Sequence, residues 1–74
     1  MTFHELDTVV LTRDVPEHAL RRGELGVIVH LHSATVVEVE FSEADGRALR
    51  VTTLPTDAMR PAAGHDFGSF SPGA

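Results

Sequence analysis

A pair of glycines followed by alternating residues is the feature that most constrains the fold of this chain. Gly23 and Gly26 stand three residues apart, and glycine reaches positive φ angles without steric cost. From residue 26 to residue 32 two sets of side chains alternate with a period of two, as in a β-strand with two different faces. We therefore predict a tight turn at 22–26 that leads into a strand. The side chains predicted to face the core from this strand are Val27, Val29 and Leu31.

An Asp-Gly pair between two strand-like segments predicts a β-hairpin. Residues 36–42 alternate apolar and polar side chains, and residues 48–54 are rich in β-branched ones. A turn of Ala44, Asp45 and Gly46, with glycine at its left-handed position, is predicted to join them. The predicted cross-strand pairs are Leu31 with Val37, Val29 with Val39, Val27 with Phe41, His30 with Glu38, Ile28 with Glu40, Phe41 with Leu49, Val39 with Val51 and Glu40 with Arg50.

A strand and a long loop are predicted before the glycine turn. Residues 6–12 are rich in β-branched side chains and are predicted to form the first strand. Because Pro16 fixes φ and offers no hydrogen-bond donor, the strand must end before it. Residues 13–21 are therefore predicted to form a loop with at most one helical turn. Val15 and Leu20 are expected to be apolar plugs beneath this loop.

The C-terminal third is predicted to close the domain and then continue as a tail. Residues 55–60 are predicted to form a short 3-10 or helical turn, and a fifth short strand follows at 60–62. The fold class is therefore all-β, a small five-stranded barrel of the SH3-like type over residues 1–63, with a flexible C-terminal tail at 64–74. The predicted core consists of Val9, Leu11, Leu25, Val27, Val29, Leu31, Val37, Val39, Phe41, Leu49, Val51 and Met59.

Three short motifs are spaced along the chain: Leu-Asp-Thr-Val-Val-Leu at 6–11, Arg-Gly-Glu-Leu-Gly at 22–26 and Leu-Pro-Thr-Asp at 54–57. At this spacing they resemble a small bacterial family of unknown function. The turn and its following strand resemble the KOW type of SH3-like barrel. The resemblance covers roughly residues 5 to 62, and it implies a fold but no activity. A fainter likeness is to the SH3-like domain of nitrile hydratase beta subunits.

The composition of the chain limits the cellular compartments and the classes of partner that we expect. Eleven acidic residues stand against six basic ones, giving a net charge of −5. Proteins that bind nucleic acid usually carry a basic surface, so we expect no binding to generic DNA or RNA tighter than tens of micromolar at ~150 mM salt. The chain has no cysteine, no apolar run of ~18 residues and no signal-peptide pattern at its start. We therefore expect a cytoplasmic protein that does not enter a membrane.

Two histidines and several acids raise the question of chemistry. His30 and His32 project from one strand, and Glu38 or Glu40 could add an oxygen ligand for a metal. Without a third fixed ligand the pattern is more typical of an exposed face with His–Glu pairs. No spacing forces two carboxylates together, and no nucleophile stands beside a base. We predict no catalytic, cofactor-binding or metal-binding residues and no cofactor, and we predict that the chain is not an enzyme.

Three functional hypotheses remain. The first is a non-catalytic acidic protein-binding module, an accessory protein or an antitoxin- or immunity-like partner of another protein, with homo-oligomerisation as the rival. The second is a KOW-like barrel associated with nucleic acid or the ribosome. The third is a metal- or pH-responsive module that uses its histidines. The candidate partner face comprises Ile28, His30, Val36, Glu38 and Glu40.

Overall fold

The computed structural model describes residues 2–42 and 49–67, which form five antiparallel strands and three 3-10 turns. The strands are β1 (Thr8–Leu11), β2 (Leu25–Leu31), β3 (Val36–Ser42), β4 (Leu49–Pro55) and β5 (Met59–Pro61). The turns are η1 (Pro16–His18), η2 (Thr56–Ala58) and η3 (Gly64–Phe67). The strands form one sheet in the order β4-β3-β2-β1-β5, so β4 and β5 are its edges. The all-β prediction of five strands, with one short turn before the last, is confirmed, and the sheet stays open between its two edges.

The inner face of the sheet carries the core, and Phe41 is its largest fully buried side chain. Six predicted core residues are buried: Val9, Leu11, Val37, Val39, Phe41 and Met59. The predicted plugs Val15 and Leu20 are also buried, and a β-bridge joins them across η1. The β3 strand has the bounds that its alternation predicts, and its odd-numbered residues face the core.

A β-bulge at Val29 reverses the predicted facing of the first half of β2. His30 pairs with Glu38, as predicted, but Ile28 pairs with Val39 instead of Glu40. Val29 is thus the extra residue, and such a residue moves every side chain before it to the other face. Ile28 is completely buried. The predictions that Leu25, Val27, Val29 and Leu31 are core residues were wrong, because these residues are half-buried or exposed.

Gly26 shows why β2 packs in this phase. A Cβ atom at this position would lie 2.5 Å from Cγ1 of Val39 and 2.8 Å from Cε1 of Phe41. A glycine inside a strand often marks such a close approach. The positive φ of the predicted turn belongs to Gly23 alone, at 94°. Gly26 therefore provides room for the Phe41 ring rather than a turn.

The β3–β4 pairing lies one residue away from the predicted register. Val39 pairs with Thr52, and Glu40 pairs with Val51. The predicted pairs Val39 with Val51, Glu40 with Arg50 and Phe41 with Leu49 were therefore wrong. Thr52 and Leu54 face the core in place of Leu49 and Val51, which are 63% and 49% exposed. The turn predicted at 44–46, on which that register depended, lies outside the described residues.

The first strand is covered on both faces. Val9 and Leu11 face the core, while Val10, on the opposite face of the strand, is also buried. Val10 pairs with Leu25 on one side and with Arg60 on the other. The segment after β5 reaches this side of β1, since Val10, Arg60 and Asp66 line one small cavity.

The start of the predicted tail forms part of the fold. Residues 64–67 form η3, and Asp66 in this turn is bound to Arg60 of β5. The prediction of a tail from residue 64 did not foresee this turn. No helix in residues 2–42 and 49–67 has the length and apolar character needed to span a membrane.

Candidate functional site: the outer sheet face

The side of the sheet opposite the core, here called the outer face, holds four of the five residues predicted to contact a partner. Val36, Glu38 and Glu40 alternate with buried residues along β3 and are half-buried. His30 lies opposite Glu38 in the β2–β3 pairing and is exposed. The fifth residue, Ile28, was wrongly assigned to this face because the bulge turns it into the core.

A cluster of histidines and glutamates lies at one end of the outer face, beside the part of β2 that comes after the bulge. The rings of His30 and His32 meet edge to face with centroids 4.7 Å apart. Nε2 of His32 lies 2.5 Å from Oε2 of Glu38, and Nδ1 of His30 lies 4.0 Å from Oε2 of Glu5. The four side chains hold each other in place on an exposed surface. In the part of the chain that the structure describes, no three potential ligands are grouped so that they could hold a metal ion.

An apolar patch adjoins these polar residues. It consists of two exposed residues of β4, two residues of β2 and one aromatic residue of η3. These residues are Leu49, Val51, Leu25, Val27 and Phe67. All but Val51 line an open cavity of about 310 Å³, and the same cavity is lined by Glu40. Val51 lies next to the cavity because it pairs with Glu40. Glu40 lies between Val27 of β2 and Val51 of β4. The outer face therefore combines exposed apolar area with a carboxylate inside it.

Sequence reasoning missed the residues that make this patch apolar. Leu49, Val51, Leu25 and Val27 were predicted in the core, and Phe67 was placed in the tail. The sequence of β4 does offer an alternative to Leu49 and Val51 as core residues, since Thr52 and Leu54 form an equally regular set on the other face of that strand. No pattern in the local sequence indicates the position of Phe67, because this position depends on a side-chain contact of the neighbouring Asp66 with Arg60 of β5.

The contact that fixes Phe67 is a paired hydrogen bond between Arg60 and Asp66. The two guanidinium nitrogens donate to the two carboxylate oxygens over 2.8 and 2.7 Å, and the backbone N–H of Ala63 donates over 2.6 Å. The hydrogen bonds from Arg60 and then from Ala63 hold the pKa of Asp66 far below its usual range. This carboxylate is thus ionised at any ordinary pH, and η3 stays attached to β5.

Other carboxylates of the chain stabilise turns. The N–H of Arg22 donates to Asp14 over 2.8 Å, and the N–H of Arg21 donates to Glu24 over 2.6 Å. In the same way the N–H of His4 donates to Asp7 over 2.8 Å. These acids occupy positions where a side chain satisfies backbone donors of a loop.

The loop between η1 and β2 contributes to a second surface. Arg21 and Arg22 line a groove of about 590 Å³ together with Arg50 of β4. Arg21 and Arg22 are neighbours in the sequence, whereas Arg50 is brought to them by the folding of the sheet. Glu24 lines the same groove and reduces its positive charge.

Comparison with known proteins assigns the chain to a family. The model of a domain of unknown function, DUF4926, matches residues 5–61, which is more than half of the chain. The chain belongs to the DUF4926 family. No curated protein and no solved structure matches it. The likeness to nitrile hydratase beta subunits is therefore without support, whereas the resemblance to a family of unknown function is confirmed. The DUF4926 match includes all five strands and ends before η3, so Asp66 and Phe67 lie beyond it.

Proposed function

We propose that this DUF4926 protein is a small, non-catalytic, acidic protein-binding module that acts in the cytoplasm. It would serve as an accessory protein or as an antitoxin- or immunity-like partner of a second protein. The observation that carries the proposal is the outer face, where the exposed Leu49 and Val51 lie beside the carboxylates of Glu38 and Glu40.

The composition of the outer face supports contact with a protein. Protein interfaces have an apolar centre that excludes water and a polar rim that sets orientation. The apolar patch supplies exposed area for such a centre, with Glu40 inside it between Val27 and Val51. Glu38 and His30 lie beside the patch as polar groups that set orientation. Contiguous apolar area of this kind on a small soluble domain is a recognised mark of an interaction site.

The charge of the chain supports a partner with a basic surface. A net charge of −5 on 74 residues creates a field that accelerates encounter with positively charged proteins. Glu38 and Glu40 are central to this field on the outer face. We therefore propose that the partner presents apolar side chains surrounded by lysine or arginine.

Charge reversal tests this proposal directly. Tagged wild-type chain and the Glu38→Lys/Glu40→Lys variant are expressed in the native host, and co-purified proteins are identified by mass spectrometry. A matched control, Glu17→Lys/Asp57→Lys, makes the same change in net charge on exposed positions of η1 and η2. We expect the wild type and the control to recover the same partner, and the outer-face variant to recover at least tenfold less. Equal recovery by all three chains would contradict the proposed face.

The groove lined by Arg21, Arg22 and Arg50 favours a second candidate, a barrel associated with nucleic acid or the ribosome. Three arginines around one groove are a local source of phosphate contacts. Because the net charge is −5, we expect binding to generic DNA or RNA no tighter than tens of micromolar at ~150 mM salt. A salt-dependent gel shift at sub-micromolar protein would raise this candidate above the first.

The contact between His30 and His32 favours a third candidate, a module that responds to pH. Protonation of both rings would bring two positive charges together at 4.7 Å, although Glu5 and Glu38 lie close enough to offset them. Partner recovery at pH 5.5 and pH 7.5, by the wild type and by His30→Gln/His32→Gln, measures this response. A pH effect that disappears in the variant supports the candidate, and an effect of equal size in both chains contradicts it.

A further inference from the structure

The two edges of the sheet differ in a way that points to self-association. The β5 edge has only three residues, ends in Pro61 and is followed by η3, which Asp66 anchors to Arg60. A short strand that ends in proline is a protected edge. The β4 edge is seven residues long, and among the described residues its backbone pairs with β3 alone.

The β4 strand has few of the features that protect an exposed edge. Its one charged residue, Arg50, lies near the beginning of the strand and shares a face with Phe41. Residues 51–55 carry no charge, and proline stands only at the last position. Edge strands that must stay single are usually interrupted by lysine, proline or a bulge along their length. The stretch after Arg50 is thus competent to pair with another strand.

We infer that β4 pairs antiparallel with β4 of a second copy of this chain, so that two sheets join across a two-fold axis. With the axis at Thr52, Val51 lies opposite Thr53 of the second copy, and Arg50 lies opposite Leu54. No acidic residue of β4 meets another, since the strand has none. The pairing places Thr53 and Pro55 of the second copy beside Val51 and Leu49, the two most exposed apolar residues of the strand, on the outer face of the joined sheet.

Electrostatics is compatible with a second copy at this edge. Each chain carries a charge of −5, so two copies repel each other wherever their acids approach. The nearest acids in the sheet are Glu38 and Glu40 on β3, one strand away from the edge. Three strand spacings of ~4.8 Å separate the two β3 strands in the dimer, about 14 Å. This exceeds the Debye length of about 8 Å at physiological salt, so the repulsion is largely screened.

The first experiment measures the mass of the purified full chain by sedimentation between about 10 µM and 1 mM, in low and in physiological salt. We expect the average mass to rise from 8.0 kDa toward twice that value. Higher salt is expected to favour the dimer because it screens the repulsion between the two chains. A mass that stays at that of the monomer at every concentration overturns the inference and leaves the edge to an extended segment of another protein.

Lysine substitutions locate the contact. Val51→Lys and Thr53→Lys each add a charge on the exposed side of β4, opposite Glu40 and Glu38 of the same chain, so the fold itself is not disturbed. We expect each to weaken the dimer at least tenfold. Leu31→Lys makes the same charge change at an exposed apolar position of β2 and is expected to leave the dimer unchanged. A dimer that Leu31→Lys weakens as much as the β4 variants overturns the inference.

A readout on the unmodified chain identifies the strand in contact. In a dimer formed from isotope-labelled and unlabelled chains, intermolecular nuclear Overhauser effects are expected between protons of residues 51–53 in the two copies. A dimer whose intermolecular contacts fall elsewhere overturns the assignment to β4. The outcome is independent of the proposed partner protein, because only one purified chain is present.

Discussion

The two halves of the sheet differ in how many of their faces the rest of the chain covers. In the covered half, β1 is buried on both faces, since Val9 and Leu11 face the core and Val10 lies beneath Arg60 and η3. In the open half, β4 alternates between exposed and buried residues along its whole length. In the covered half the apolar surface is buried inside the fold. The open half retains exposed apolar surface, and burial of such surface is the main driving force of association.

The difference comes from local features of the chain. η3 covers the outer side of β1 because the Arg60–Asp66 contact holds it there. The bulge at Val29 removes Ile28 from the outer face and leaves Val27 on it. The same sheet therefore has one end that the rest of the chain covers and one end that keeps exposed apolar surface.

The largest expected effect is at the centre of the shared core. Phe41 is 2% exposed and is the largest fully buried side chain. Truncation of a buried phenylalanine to alanine costs about 3–5 kcal/mol, a large part of the stability of a small domain. Chemical denaturation of Phe41→Ala measures this loss. A variant with an unchanged denaturation midpoint would mean that Phe41 is not part of the core.

The next effect separates the two faces of the open half. Val39 is completely buried, whereas Val51, which the predicted register paired with it, is 49% exposed. We expect Val39→Ala to cost about 2–3 kcal/mol, from two lost methyl groups and a cavity. Val51→Ala is expected to change the free energy of unfolding by less than about 0.5 kcal/mol. Equal losses of unfolding free energy at the two positions would support the predicted register, in which the two side chains share a face, against the observed one.

A third substitution tests the phase of β2. Gly26→Ala forces a methyl group against Val39 and Phe41 at distances that no Cβ atom tolerates. We expect a loss of about 1–3 kcal/mol from overpacking. Gly23→Ala is a useful comparison, since nothing lies within 4 Å of its added Cβ and only its positive φ opposes it. If Gly26→Ala is as stable as the wild type, the first half of β2 faces the other way.

The smallest effect is the pH dependence of the covered half. Because the pKa of Asp66 is lowered in the folded chain, its contribution to stability is complete above the ordinary aspartate pKa of about 3.9. It is lost as the pH falls below that value toward the folded pKa. We expect wild type and Asp66→Asn to differ in unfolding midpoint at pH 6 and to converge as the pH approaches 2.

Asp57→Asn is the matched control for this series. Asp57 forms an exposed pair with Arg13, with 3.1 Å between Oδ1 and Nη2, and exposed pairs contribute little. The control is expected to follow the wild type across the pH range. An Asp66→Asn profile parallel to that of the wild type down to pH 2 would contradict the role given to this carboxylate.

Some parts of the fold are determined by signals that lie within one segment. The alternation of residues 36–42 fixes β3 and its inner face, and Pro55 precedes η2 directly. The first strand ends before Pro16 as predicted, and the loop that follows the strand buries Val15 and Leu20 as predicted. In each case a single stretch carries both the element and its orientation.

Other parts depend on choices between two equal local patterns. In β2, Val27 and Ile28 are equally suited to the core, and the bulge that decides between them leaves no mark in the alternation. The informative residue is Gly26, which fits only beneath Phe41. In β4, either Leu49 and Val51 or Thr52 and Leu54 could face the core according to the sequence. The turn length assumed in the prediction led to the wrong choice.

The candidate site follows the same division. Sequence reasoning placed His30, Val36, Glu38 and Glu40 correctly on the outer face, because the alternation of β3 and the pairing of His30 with Glu38 were predicted correctly. Ile28 was misassigned by the bulge, and the apolar patch was missed by the shift of β4. Phe67 required knowledge of the Arg60–Asp66 contact, which joins two segments through side chains and has no pattern in the sequence.

The most direct test of the open half as the contact surface is site-specific photo-crosslinking in the native host. A benzoyl-phenylalanine is introduced in place of Val51 on β4 or, as the control, in place of Glu17 on η1, two exposed positions. We expect irradiation to give an adduct from position 51, containing either a second protein or a second copy of the chain, and little from position 17. Equal yields from both positions, or no adduct from position 51, would contradict the account.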